Sequence, residues 1–137
     1  MSAKDSASAA GGLSLIVRSG KYEDVHYALA LAAAAIAVNK PAVLFFTMAG
    51  IRALTGPPPG LDDWGRDALN RERGVGDFET LLQACVELGV RFIVCEMGLR
   101  SLDLDRSSLR TDVPFTIAGI VTLLEETRPG MHLLEIS

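Results

Sequence analysis

Only two cysteines and two histidines occur among the 137 residues, and they fall in no C-x-x-C or H-x-x-x-H spacing. That pattern offers no tetrahedral ligand set, so no metal is expected. Two cysteines also cannot form the disulfide framework of a small secreted domain, which favours a reducing compartment; a cytoplasmic location is expected. No cluster of Lys or Arg marks any segment and the net charge is −4, so the basic footprint that nucleic acid requires is missing. The longest apolar run, Ala28 to Val38, spans eleven residues where a membrane-spanning helix needs about twenty. Residues 1–12 hold no apolar run and read as a flexible tail, not a signal or transit peptide. No G-x-G-x-x-G follows the first apolar run. Ser19-Gly20-Lys21 lacks the upstream glycine and downstream Ser/Thr of a phosphate loop.

What the chain does have is alternation. Hydrophobic residues make up 49% and charged residues 22%, a globular balance that suits one domain over residues 13–137. Short apolar runs predict strands at 13–17, 42–46, 91–95, 113–118 and 131–136. Helical spacing predicts helices over 21–38, 77–88 and 119–127, with shorter ones over 47–54 and 98–104. Asp77 suits an N-cap and Gly89 a C-terminal stop. Between them, residues 55–76 read as a long loop that opens on Thr55-Gly56-Pro57-Pro58-Pro59-Gly60. The sum is a three-layer α/β/α fold on a mainly parallel sheet of about five strands, whose order the sequence does not reveal. In the first helix Val25, Ala28, Leu29, Ala32, Ala33 and Ile36 form one apolar face. Ala30, Leu31, Ala34, Ala35 and Val38 form another, which predicts a subunit interface.

Ligands of open α/β sheets bind beyond the carboxyl ends of the strands. Among the residues there, Cys95 alone is a strong nucleophile near neutral pH. Ser19, Gly20, Thr47, Met97, Gly98 and Gly119 are candidates to line a pocket around it, and His26 lies at the same end of the sheet. Cys85 falls on the apolar stripe of its helix and reads as inert core. With about 10 Å between layers, it lies beyond the ~7 Å Cα separation that a bridge to Cys95 allows. His132 begins the last strand at the opposite end. Asp62, Asp63, Asp103 and Asp105 read as solvated charge in polar connections.

The segment Phe92-Ile93-Val94-Cys95-Glu96-Met97-Gly98-Leu99-Arg100-Ser101-Leu102 resembles the cysteine segment of the DsrE-like family (the DsrE, DsrF and TusD type). Pro114-Phe115-Thr116-Ile117-Ala118-Gly119-Ile120 resembles that family's strand and glycine before its last helix. The opening Leu15-Ile16-Val17-Arg18-Ser19-Gly20 and the alanine-rich helix fit as well. The likeness runs from about Leu13 to Ile136, and the 57–76 loop is longer than in a minimal member. It implies a sulfur carrier or sulfurtransferase component whose strand-end cysteine, here Cys95, takes sulfane sulfur as a persulfide without a cofactor. It further implies sulfur donor and acceptor proteins (rhodanese-like, or a small sulfur carrier) and a homo-oligomer, a trimer or hexamer, with neither nucleic acid nor membrane as partner. Two other readings compete: a peroxide-sensing thiol protein using Cys95, and a non-catalytic oligomeric module that binds a small ligand.

Overall fold

The computed structural model describes residues 11–137. Most of the tail expected over residues 1–12 therefore lies outside the described residues. Its end is tied down, since the Gly12 carbonyl accepts from His132 N at 2.9 Å. In chain order the elements are β1 (Leu13–Val17), α1 (Tyr22–Ala37), β2 (Ala42–Phe46), a 3-10 segment (Met48–Leu54), α2 (Arg66–Glu72), α3 (Phe78–Leu88) and β3 (Arg91–Cys95). Then follow α4 (Glu96–Ser101), a 3-10 turn (Arg106–Ser108), β4 (Phe115–Ala118), α5 (Ile120–Glu126) and β5 (His132–Ile136).

All five strands are parallel, in the order β4-β3-β2-β1-β5. From β1 to β4 each crossover steps one strand in the same direction, so right-handed connections put their helices on one face. That face carries the larger core: Leu15, Val17, Leu44, Phe46, Phe92 and Val94 from the sheet meet Val25, Leu29 and Ala32 of α1 and Phe78, Leu82 and Cys85 of α3. The step from β4 to β5 runs back past β1, and its helix must cross the other face. There Leu123 of α5 packs on Val43, Phe45, Ile93 and Cys95. The third layer is thus a single seven-residue helix.

Local chemistry explains most boundaries. Asp77 accepts from Thr80 N at 2.9 Å and caps α3, and Gly89 closes it at φ 87°, a left-handed geometry that costs glycine little. Pro114, which has no N–H to give a ladder, stays outside β4, so that strand starts at Phe115 and not at residue 113.

Three expectations need correction. The 55–76 loop contains α2, held by Asp67, which is buried and accepts from the Tyr22 hydroxyl (2.6 Å) and Phe78 N (2.8 Å). Trp64 stands edge-on to both Tyr22 and Phe78, so the segment is stitched to α1 and α3. Second, α4 starts at Glu96, two residues earlier than predicted; Glu96 pairs with Arg100 one turn on and suits a first turn. Third, the second apolar face of α1 is partly covered within the chain. Ala35 is buried and Leu31 half-buried against the core, α3 packs alongside, and Cys85 Sγ donates to the Leu29 carbonyl at 3.3 Å. Ala34 and Val38 remain exposed.

Arg110 joins α3 to the β3–β4 connection through Glu79 (2.6 and 2.9 Å) and Asp112 (2.7 and 2.8 Å). The guanidinium holds the Asp112 carboxyl down at about 2. A depressed carboxyl stabilises the fold above its unfolded value of about 4 and ceases to do so as pH falls through 2. Arg110→Gln is accordingly expected to flatten the acid limb of a pH–stability curve between about pH 4 and pH 2. An unchanged limb in urea titrations at successive pH values contradicts this.

Candidate functional site

The carboxyl ends of β2, β3 and β4 define the site. β3 pairs with β4 so that Cys95 faces Ala118. The β2–β3 register, running Phe46 to Val94, puts Thr47 beside Cys95 when carried one residue further. Alternation then turns Thr47, Cys95 and Ala118 to the α5 side of the sheet. Cys95 is also the residue at which backbone passes from strand to helix, with φ −71° and ψ 121°, directly ahead of the α4 amides.

Tight backbone packing fixes this corner. Met48 turns the chain out of β2 in a left-handed conformation, φ 49°, which is uncommon and strained for a side-chain-bearing residue. A Cβ on Gly98 would lie 2.7 Å from Met48 N and 3.1 Å from Thr47 Oγ1, so only glycine lets α4 sit on this turn. Gly98 is a packing residue here; its contribution is closeness. Gly50 does the same at β1, where a Cβ would lie 2.0 Å from the Val17 carbonyl oxygen.

The thiol itself is covered. Cys95 is 1% exposed, in contact with the small core of Val43, Phe45, Ile93 and Leu123. What separates it from solvent is slight: Ala118 is half-buried, Gly119 is exposed with open space where a Cβ would stand, and Ile120 begins α5. Met97, on the first turn of α4, is exposed. Sequence reasoning put Ala118 at a strand end but missed Leu123 in the small core around Cys95, because its place depends on strand order.

Of the other candidates, Ser19 donates to Asp24 (2.6 Å) and accepts from Lys21 N (3.1 Å), which shapes the turn into α1. Gly20 lies against the Arg52 guanidinium, whose Nη2 would be 2.0 Å from a Cβ there. His26 is not brought to the cysteine. It sits on α1, across the sheet from α5, with Nε2 2.7 Å from the Gly76 carbonyl oxygen. It lines a cleft of about 570 Å³ with Tyr22, Tyr27, Arg66 and Glu135. Cys85 is fully buried on that same α1 side, and burial pushes its thiol up to about 11.

The DsrE/DsrF-like family model matches residues 13–135. This chain belongs to the DsrE/DsrF-like family. Among solved structures, a protein of unknown function from Methanobacterium thermoautotrophicum has a similar fold, with a TM-score of 0.62 at 13% identity over 90% of this chain and 97% of that one. Among curated proteins no match is found. Among the described residues of this DsrE/DsrF-like chain, no helix is long and apolar enough to cross a membrane.

Proposed function

We propose that this DsrE/DsrF-like protein is a sulfur-relay component that carries sulfane sulfur as a persulfide on Cys95 and works as a cytoplasmic homo-oligomer, a trimer or hexamer. The supporting observation is the position of Cys95: a lone thiol at the carboxyl edge of a central parallel strand, directly before a helix, flanked by Thr47, Ala118 and Gly119. Cys95 is covered, so loading requires its cover to open. In the reaction the Cys95 thiolate attacks the outer sulfur of a donor persulfide, the donor's S–S bond breaks, and the donor thiolate leaves. Sulfur is transferred with no net oxidation or reduction. Release to an acceptor thiol is the same exchange in reverse. Donor and acceptor are partner proteins bearing thiols, of rhodanese-like or small-carrier type.

Incubation with inorganic polysulfide is expected to add about 32 mass units per chain, removable by reductant and mapped to Cys95. Cys95→Ser should not load. Cys85→Ser should load like the parent, since that thiol is buried and protonated near neutral pH. Loading that persists in Cys95→Ser rejects the proposal, as does a Cys95 that alkylates readily yet takes no sulfur.

One observation favours a second reading. Cys95 is 1% exposed, as a non-catalytic binding module would have it. That reading predicts neither loading nor alkylation in the folded protein. A peroxide-sensing role finds less support, because Cys85 lies across the sheet and a resolving thiol would have to come from another chain.

A further inference from the structure

We propose that the Thr47 hydroxyl is the hydrogen-bond donor that holds the outer sulfur of the Cys95 persulfide. The inference rests on the Cys95 reading above and deepens it, by naming the group that stabilises the loaded state.

Thr47 directly follows β2 and stands at the N-cap of the 3-10 segment, where a threonine hydroxyl ordinarily accepts from a backbone N–H of the first turn. Here it takes no such bond, and among the described residues its hydroxyl has no hydrogen-bond partner. The residue is nonetheless buried, at 7% exposed. A buried hydroxyl is costly unless something meets it. The backbone is already engaged: Thr47 N donates to the Val17 carbonyl, and Gly50 N donates to the Thr47 carbonyl, each at 3.0 Å. Only the side chain is left over. Thr47 is extended, φ −138° and ψ 157°, and follows two residues after Phe45 of the small core, so its side chain shares the face of Cys95. On that face Oγ1 leans towards the chain leaving Cys95, since it lies 3.1 Å from where a Cβ on Gly98 would stand.

A persulfide calls for such a group. The transferred sulfur stays on Cys95 as a persulfide more acidic than a thiol, and its proton passes to the departing donor thiolate. Thr47 keeps its own proton and lends it as a hydrogen bond. An anion in a covered, apolar place is expensive without a donor, and hydrogen bonds to an ionised acceptor are the stronger kind. The side chains of the small core, Val43, Phe45, Ile93 and Leu123, have no proton to give, and neither has Ala118 opposite on β4. Glu96 is negative and pairs with Arg100, while Arg18, one strand beyond Thr47, pairs with Glu135. Adjacent strands run about 4.8 Å apart and a persulfide reaches about 2 Å past the thiol sulfur, so the outer sulfur comes within range of a hydroxyl on the next strand. In the unloaded chain no bond joins Thr47 to Cys95. The donor therefore acts on the loaded state and not on the free thiol.

The test uses two pairs of full-length chains that differ in the hydroxyl of residue 47: the parent against Thr47→Val, and Thr47→Ser against Thr47→Ala. Each chain is equilibrated with mixtures of glutathione persulfide and glutathione, and the loaded fraction is read by intact mass. Circular dichroism checks folding; if one pair does not fold, the other decides. The chains without the hydroxyl should need about a tenfold higher persulfide-to-thiol ratio for half-loading than their counterparts, the worth of one hydrogen bond to a charged acceptor. Iodoacetamide should modify the unloaded Cys95 at matching rates within each pair. A parent that takes up no sulfur overturns the Cys95 reading, and this inference with it. Equal half-loading ratios within a pair, in chains that do load, overturn the role of Thr47 alone. So does a difference in alkylation as large as that in loading, since residue 47 would then act on the free thiol or on access to it.

Discussion

Asp67→Ala is expected to destabilise the protein by about 3 kcal/mol, as two buried donors, the Tyr22 hydroxyl and Phe78 N, lose their acceptor. Both bond to Oδ1, while Oδ2 takes Arg71 Nη2 at 3.0 Å. Tyr22 is fully buried, and its phenol is held far above its ordinary pKa, first by burial and then by the bond to Asp67. Without Asp67 that hydroxyl keeps only the Asn70 amide, which donates to it at 3.2 Å, and its own proton loses its acceptor. Asp67→Asn keeps one carbonyl oxygen for the two donors and gives up only the half-exposed Arg71 contact, so a loss of about 1 kcal/mol is expected. Urea unfolding followed by circular dichroism separates the two. If alanine and asparagine cost the same, the donors are not what Asp67 secures.

Gly50→Ala should be comparably damaging, about 3 kcal/mol, because its methyl group would meet the Val17 carbonyl oxygen at 2.0 Å and the carbonyl carbon at 2.7 Å. Backbone cannot swing away as a flexible side chain can. Either β1 or the Met48–Leu54 segment must move, and Thr47, next to Cys95, moves with that segment. Gly65→Ala is the control, having nothing within 4 Å of an added Cβ. Thermal melts that place both variants together would show that the close approach at Gly50 is easily relieved.

Features written in neighbouring residues were legible in the sequence. Asp77 and Gly89 announce both ends of α3, and the run Arg91–Cys95 announces a buried strand ending in cysteine. The family likeness was carried by the same local segments. What could not be read depends on residues far apart. His26 and Cys95 do share one end of the sheet, but which face each takes follows from crossover handedness and strand order. The apolar girth of α1 reads as one open face until α3 is seen covering part of it. Helix α2 was hidden by its flanking glycines and prolines, although the Asp67–Arg71 pair at i,i+4 was a usable signal.

The pairing of β1 with β5, Leu13 opposite His132, joins strands separated by nearly all of the described chain. On the ribosome, β1 emerges before β2 and can join it early. Its other edge must then wait, open, until β5 emerges. Such long-range closure slows folding, and an unpaired strand edge attracts other chains meanwhile. The outer strand of the finished sheet is therefore also a safeguard against premature association, and the hazard lasts until β5 has emerged.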